Sequence, residues 1–123
     1  MGHLSDLTIL IAEDMLLHAT DLSMAIEDEG GTVLGPAATV SAAMSILESG
    51  SPDLAILDVE LADAEVFPVA DYLTQRDIPF VFYTSRASSG QAEAREYGVP
   101  VISKAYSADE AINALCRLKA EAA

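Results

Sequence analysis

The sequence predicts an α/β protein in which parallel strands alternate with helices along the chain. Short, continuous apolar runs such as Thr8 to Ala12 recur, and each is followed by a stretch with apolar residues at helical spacing. Strands of a parallel sheet are buried on both faces, so they read as continuous apolar runs without alternation. No Pro/Gly-rich linker interrupts the 123 residues, which is typical of one domain with one core.

Five strand-helix units follow one another in the sequence. The first helix ends at Gly30 and Gly31, because glycine tolerates the positive φ of a helix terminus. Five such units predict a doubly wound, flavodoxin-like sheet of five parallel strands in the order 2-1-3-4-5. The predicted strands are 8–12, 32–35, 54–57, 80–83 and 101–103, and the predicted helices are 15–29, 40–47, 66–73, 91–97 and 109–119.

The charge of the chain argues against nucleic-acid and membrane partners. Twenty acidic and 6 basic side chains give a net charge of -14, which repels phosphate backbones and anionic lipid surfaces. No uninterrupted apolar stretch of about 18 residues occurs. The single cysteine, Cys116, permits no internal disulfide, so we expect a reducing, cytoplasmic location.

Polar side chains follow four of the predicted strands, at the point where each strand ends. Glu13 and Asp14 follow the first strand, Asp58 the third, Thr84 the fourth and Lys104 the fifth. The carboxyl ends of parallel strands meet at one edge of the sheet, where ligands bind in doubly wound folds. Each residue alone is weak evidence, since aspartates cap turns and threonines form strands; the ordered set indicates a site.

These residue types predict magnesium-assisted phosphoryl chemistry. Three carboxylates brought together repel one another and require a cation, and Mg²⁺ binds one or two carboxylates, several waters and phosphoryl oxygens. A carboxylate beside the ion can attack phosphorus to give an acyl phosphate. A lysine ammonium and a hydroxyl, here Lys104 and Thr84, suit the remaining phosphoryl oxygens.

The residues, their order and the five-unit plan resemble the receiver domains of bacterial response regulators over Leu7 to Leu118. The stretches 66–71 and 78–84 are similar to the stand-alone receivers of alpha-proteobacteria, whose fourth strand carries a Pro-Phe-x-Phe-Ala-Thr-Gly pattern. The resemblance implies that residues 1–6 are a leader or tag remnant, that residues 7–120 form the receiver domain, and that no output domain is present.

By this resemblance Asp58 is the phosphoacceptor, Asp14 binds Mg²⁺ directly and Glu13 binds it through water. The backbone carbonyl of Glu60 completes the metal site, and Mn²⁺ can replace Mg²⁺. No dedicated enzyme activity is implied beyond self-catalysed phosphoryl transfer to Asp58 and its loss.

Thr84 and Lys104 are implied to bind the phosphoryl group. The side chains of Glu60 and Arg86 are expected to flank the path of attacking water and to modulate the lifetime of the phosphoryl group, either as an ion pair or as a solvated pair of small energy.

The chain departs from the receiver pattern after its lysine and on its fifth strand. Most receivers carry proline after the lysine, often in cis; here Ala105 stands there, and we predict a trans bond because a non-proline cis bond costs about 3 kcal/mol. The aromatic switch residue of many relatives falls at Val101. Tyr83 or Tyr106 can serve as the switch instead, or they are packed aromatics.

The resemblance implies a sensor histidine kinase of the HWE or HisKA_2 type, or a histidine phosphotransfer protein, as partner. The kinase is expected to dock at Leu16, Leu17 and Thr20 on the first helix. The face of the fourth and fifth units is expected to serve other contacts, so that the chain is a monomer or a phosphorylation-dependent dimer.

Three readings of function stay open at this point. The chain can signal by protein contact or act as a phosphate sink, or it can be a degenerate receiver that docks or inhibits without phosphorylation. A haloacid dehalogenase-like aspartyl phosphatase is the remote alternative. Those enzymes place their nucleophile after the first strand, whereas Asp58 follows the third.

Overall fold

A computed structural model describes residues 2 to 85 and 90 to 122, which form one parallel sheet covered by helices on both faces. The strand order β2-β1-β3-β4-β5 confirms the predicted doubly wound topology. The strands are β1 Thr8–Ala12, β2 Thr32–Ala37, β3 Leu54–Leu57, β4 Phe80–Thr84 and β5 Val101–Ser103. The helices are α1 Leu16–Asp28, α2 Val40–Ser49, α3 Phe67–Gln75, α4 Gln91–Arg95 and α5 Ala108–Ala122.

The core consists of two apolar layers, one on each face of the sheet. Successive strand residues point to opposite faces, so β1 sends Ile9 and Ile11 to one layer and Leu10 and Ala12 to the other. Helices α1 and α5 cover the first layer, and α2, α3 and α4 cover the second. This two-sided burial is why the strands read as continuous apolar runs.

Strand β2 is longer than the sequence predicts. The prediction ends it at Gly35, but pairing with β1 resumes at Ala37 after a shift in register. Gly35 has φ +97, and a Cβ there would lie 2.7 Å from the backbone nitrogen of Ala37. Glycine therefore makes this irregularity possible. The Gly35–Pro36 peptide bond is cis.

Helix α4 is shorter than the sequence predicts, and the residues before β1 are packed against the core. Helix α4 ends at Arg95, two residues before the predicted end, and Gly98 follows with φ +71. Leu4, which the sequence analysis places in a leader, is fully buried and its backbone N–H donates a hydrogen bond to the Glu29 carbonyl. Residues around Leu4 thus pack against the layer under α1. None of the helices in the described part of the chain has the length and apolar character needed to cross a membrane.

Candidate functional site

The predicted site residues meet at the carboxyl edge of the sheet. Asp58 follows β3, and its backbone N–H donates to the carbonyl of Ala12 on β1 at 2.8 Å. Lys104 follows β5, and its backbone N–H donates to the carbonyl of Thr84 on β4 at 2.9 Å. Glu13 lies directly after β1. Backbone hydrogen bonds between neighbouring strands therefore fix the position of the backbone at Asp58 and Lys104.

Three carboxylates form a compact cluster at this edge. Carboxylate oxygens of Glu13, Asp14 and Asp58 all lie within 4.8 Å of one another. Glu13 and Asp58 are buried, with 3% and 5% of their surface exposed, whereas Asp14 is exposed. Two buried carboxylates and one at the rim give a site that is open on one side.

Lys104 joins the two buried carboxylates. Its Nζ lies 2.7 Å from Asp58 Oδ2, 2.8 Å from Glu13 Oε1 and 3.0 Å from Glu13 Oε2, and 8% of its side chain is exposed. The backbone N–H of Met15 adds a hydrogen bond to Glu13 at 3.2 Å. The ammonium supplies the positive charge that the paired carboxylates require in the protein without metal.

The electrostatics of the cluster follow from burial and crowding. Burial, with a smaller contribution from the neighbouring Asp58, raises the pKa of Glu13 to about 7, even though the hydrogen bond from Lys104 lowers it. Burial lowers the pKa of Lys104, but its hydrogen bonds to Asp58 and Glu13 outweigh burial, so the pKa lies above the ordinary lysine value. Lys104 is therefore charged at neutral pH.

Thr84 brings a hydroxyl to the same edge. Thr84 is 1% exposed, and within the described ranges its buried Oγ1 has no hydrogen-bond partner. A buried hydroxyl without a partner costs free energy, and such groups in native proteins are usually met by a ligand or water. Thr84 Oγ1 is thus a hydrogen-bonding group that the folded chain leaves available.

A cavity of about 290 Å³ opens over these groups. Six of its eight lining residues are polar or charged, among them the predicted Glu60, which lies two residues after Asp58. The cavity is large enough for a hydrated divalent ion together with a phosphoryl group. Its lining residues are Asp14, Met15, Asp58, Glu60, Leu61, Thr84, Ser85 and Lys104.

The donor set fits a hard divalent cation. All the ligand atoms that the cluster offers are carboxylate oxygens, without the thiolate or imidazole ligands that select softer metals. The cluster brings three carboxylates together with one ammonium, so acidic groups outnumber basic ones at this edge. A magnesium ion would offset that excess of carboxylates, and Glu13, Asp14 and Asp58 are the residues that would hold it.

The three predicted switch residues occupy different environments. Val101 is half-buried and packs against the layer under α3 and α4, together with Tyr97. Tyr83 is buried in the opposite layer, and Tyr106 is 61% exposed. Arg86, the predicted partner of Glu60, lies outside the described residues. The peptide bond after Lys104 is trans, as predicted.

Sequence reasoning missed two contacts around the site. His18 Nδ1 lies 3.8 Å from Glu13 Oε1, and its ring meets Tyr83 edge-on at 6.3 Å between centroids. Glu13 precedes α1, so no spacing along a helix signals this contact in the sequence. The second contact, from the Tyr83 hydroxyl to the Tyr106 carbonyl at 3.0 Å, joins β4 to the residues after Lys104 and has no sequence signature.

Comparison with known proteins yields relatives of one kind. Models of known protein families give no match. The solution structure of SdrG from Sphingomonas melonis Fr1 is 39% identical, covers 94% of this chain and 98% of its own, and superimposes with a TM-score of 0.75. The receiver domain of HemR from Leptospira biflexa is 29% identical over 91% of this chain and 93% of its own, with a TM-score of 0.76.

The chain belongs to the receiver domains of response regulators. A curated relative, the phyllosphere-induced regulator PhyR of Methylorubrum extorquens, is 39% identical over 80 residues, which are 63% of this receiver and 30% of PhyR. The receiver thus spans less than a third of that relative's length.

Proposed function

We propose that this receiver accepts a phosphoryl group on Asp58 from a phosphohistidine, with Mg²⁺ bound by Asp14 and Asp58. The observation that carries the proposal is the position of Lys104, whose ammonium lies 2.7 Å from Asp58 Oδ2 inside an otherwise acidic cluster. An ammonium in that position can bind either the free carboxylate or a phosphoryl group attached to it. Thr84 Oγ1, buried and without a partner among the described residues, supplies the second donor.

The transfer breaks the phosphorus–nitrogen bond of the donor and forms a phosphorus–oxygen bond to a carboxylate oxygen of Asp58. The leaving nitrogen keeps the electron pair of the broken bond and takes up a proton. A bound Mg²⁺ would offset negative charge on the transferring group. Lys104 exchanges its hydrogen bond to the free carboxylate for one to a phosphoryl oxygen, and Thr84 donates its hydroxyl proton to another.

Intact-mass measurement with acetyl phosphate as donor tests this proposal. We expect the wild-type receiver to gain the mass of one phosphoryl group in Mg²⁺ and to gain none in EDTA. Asp58→Asn should remove the gain. Asp77→Asn is the matched control, because Asp77 is exposed with φ +56 and asparagine tolerates that conformation.

The alternative is a receiver that docks without being phosphorylated. One similar structure, PhyR from Bartonella quintana, is named an anti-anti-sigma factor; it is 27% identical, and this chain covers 49% of it. A folded wild-type protein that takes no phosphoryl group from acetyl phosphate in Mg²⁺ would favour the docking alternative and count against Asp58 as acceptor.

We further propose that the phosphoryl donor docks beside the start of α1. Large apolar side chains are exposed there, with Met15 53%, Leu16 82% and Leu17 76% exposed, and Met15 also lines the cavity. Receivers in general meet histidine kinases or phosphotransfer proteins, and an apolar patch at the rim of the cavity suits such a contact. The kinase class, HWE or HisKA_2, rests on the sequence resemblance.

Two donors of different size separate docking from chemistry. Leu16→Asp should slow transfer from a phosphorylated kinase of the HWE or HisKA_2 class by about tenfold, because hot-spot apolar residues of an interface contribute that much. Its rate with acetyl phosphate should not change. Met24→Asp, at a residue 58% exposed further along α1, is the control. Equal transfer by both variants would place the docking surface elsewhere.

Glu60 and Arg86 belong to the proposal as modulators of phosphoryl lifetime. Glu60 lines the cavity, and the sequence places Arg86 two residues after Thr84. An Arg86→Ala receiver should lose its phosphoryl group faster than wild type if the arginine slows attacking water. Unchanged decay, followed by intact mass after removal of acetyl phosphate, would remove Arg86 from the proposal.

A further inference from the structure

The segment that carries Lys104 is a tight turn after β5. The backbone N–H of Tyr106 donates to the carbonyl of Ser103 at 3.0 Å, which closes a turn with Lys104 and Ala105 at its centre. The N–H of Ala105 donates to Ser103 Oγ at 3.1 Å. Ala105, Tyr106 and Ser107 are exposed, so this turn has little apolar packing to hold it.

Two consecutive residues of β4 hold the turn, one at the central Lys104 and the other at the last residue, Tyr106. The Thr84 carbonyl accepts the backbone N–H of Lys104 at 2.9 Å, and the Tyr83 hydroxyl donates to the Tyr106 carbonyl at 3.0 Å. The first bond continues the ladder between β4 and β5. The second is a side-chain bond that spans 23 residues of sequence, and we refer to it as the Tyr83 tether.

The ring and the hydroxyl of Tyr83 have separable roles. The ring is 4% exposed and packs in the layer under α1 and α5, where it also meets His18 edge-on. That contact requires an aromatic ring but no oxygen. The hydroxyl reaches past the apolar layer to the turn, and a phenylalanine would keep the first contact and lose the second.

The turn needs such support because its central residues do not supply it. Ala105 allows a wider range of φ than a proline, which would fix φ near –65°. Lysine has a long, flexible side chain, so the position of Nζ depends on where its backbone is held. Nζ must nevertheless meet Glu13 and Asp58 together, at 2.8 and 2.7 Å.

We propose that Tyr83 is a positioning residue for Lys104: its hydroxyl fixes the turn at Tyr106 and so keeps the ammonium against Asp58. This inference rests on the proposed phosphoryl chemistry for its functional consequence. Its structural part stands on the distances alone. Tyr83 then couples the packing between α1 and α5 to the residue that binds the phosphoryl group.

The test compares Tyr83→Phe with Tyr72→Phe. Tyr72 also donates its hydroxyl to a backbone carbonyl, that of Leu47 at 3.4 Å, but on the other side of the sheet. Both variants lose one hydroxyl and keep one ring. The chain has two lysines, Lys104 and the exposed Lys119, so NMR of labelled lysine side chains resolves Lys104 against an internal reference.

In the metal-free wild type we expect the Lys104 side-chain signal to lie apart from that of Lys119. Tyr83→Phe should move it toward Lys119, and Tyr72→Phe should leave it in place. In Mg²⁺, Tyr83→Phe should weaken binding of the phosphoryl mimic beryllofluoride by about threefold to tenfold, the effect of one neutral hydrogen bond. An unchanged Lys104 signal in Tyr83→Phe would overturn the inference, even if beryllofluoride binding weakened.

The amide protons of the wild-type turn provide a second measurement that needs no variant. If the tether holds the turn closed, the amide protons of Ala105 and Tyr106 exchange more slowly than in an unstructured peptide. Exchange at the unstructured rate would overturn the inference, whether or not Tyr83→Phe folds. A wild type that binds no beryllofluoride would instead reject the proposed function, while the Lys104 signal and amide exchange still decide the tether.

Discussion

Two loops bring reactive groups to the same cavity, and they are held in different ways. The loop from Asp58 to Val66, the β3–α3 loop, is held by backbone hydrogen bonds near both of its ends: the Asp58 N–H donates to the Ala12 carbonyl on β1, and the Val66 N–H donates to the Val59 carbonyl, both at 2.8 Å. Val59, Leu61 and Val66 are buried. The turn after β5, residues 103–106, has exposed residues at its end and is held by the last two residues of β4.

The β3–α3 loop is also joined to a neighbouring loop. The Ala62 N–H donates to the Ala38 carbonyl at 3.1 Å, and the Asp63 carboxylate accepts hydrogen bonds from the Val40 and Ser41 N–H groups in the first turn of α2. An anion at a helix N-terminus binds free N–H groups and the positive end of the helix dipole. Asp63 therefore caps α2 from outside that helix.

The difference teaches how the site divides its tasks. A nucleophile must be held in one place, and Asp58, the proposed acceptor, lies on the better supported of the two loops. In the proposed transfer, the Lys104 ammonium exchanges a carboxylate oxygen for a phosphoryl oxygen and so has to shift by a short distance. Lys104 lies on the turn, which has less support than the β3–α3 loop. Local stability is lowest where few buried contacts hold a segment, so we expect the turn to be the more mobile of the two.

The largest effect should come from removing the charge that connects the two loops. Lys104→Met leaves Glu13 and Asp58 buried together without a cation, which should lower the free energy of unfolding in EDTA by about 2 kcal/mol. Added Mg²⁺ should restore more stability to this variant than to wild type, because the ion no longer competes with an ammonium. Urea denaturation with and without Mg²⁺ measures both quantities.

Lys119→Met is the matched control, since Lys119 is exposed on α5. Its stability should stay near that of wild type with and without Mg²⁺. A Lys104→Met protein as stable in EDTA as wild type would mean that the ion pair contributes nothing, and the comparison of the loops would then rest on backbone bonds alone.

The positions of the site residues were largely predictable from the sequence, because these residues lie at the ends of strands. Uniform apolar runs located the strands, and the polar residues after four of these runs placed Glu13, Asp58, Thr84 and Lys104 at one edge. The end of β2 could not be predicted, since Gly35 and Pro36 read as a strand terminator until pairing shows that Ala37 rejoins β1.

Contacts between distant side chains were not predictable. Leu4 reads as part of a leader, and only the packing shows it buried under α1. Asp63 lies shortly before α3 in the sequence, but its carboxylate caps α2, the preceding helix. The tether from Tyr83 depends on how β4 and the turn meet in space, which no spacing in the sequence encodes.

An intermediate loss of stability should follow from weakening the hydrogen bonds between Asp63, on the β3–α3 loop, and the start of α2. The backbone N–H of Val40, and then that of Ser41, hold the pKa of Asp63 below its ordinary value of 3.8. A lowered carboxyl pKa stabilises the fold above the unfolded value and loses that contribution as the pH falls through the folded pKa. Asp63→Asn should therefore lower the urea midpoint at pH 7.

Below the ordinary pKa of 3.8, the urea midpoints of wild type and Asp63→Asn should converge. Asp109→Asn, in the first turn of α5, is a control that changes an exposed aspartate near a different helix start. A midpoint difference for Asp63→Asn that stays constant down to acid pH would show that the side-chain shape matters and the charge does not.

The smallest effect should come from the turn's own internal bond. Ser103→Ala removes the hydroxyl that accepts the Ala105 N–H at 3.1 Å, in an exposed setting where water replaces the lost partner. The free energy of unfolding should change by less than about 0.5 kcal/mol. Amide exchange at Ala105 should nevertheless become faster, because the turn opens more often, while exchange at Asp58 in the other loop stays the same. If both amides responded equally, the two loops would open together, and the distinction between a fixed acceptor and a mobile lysine would fail.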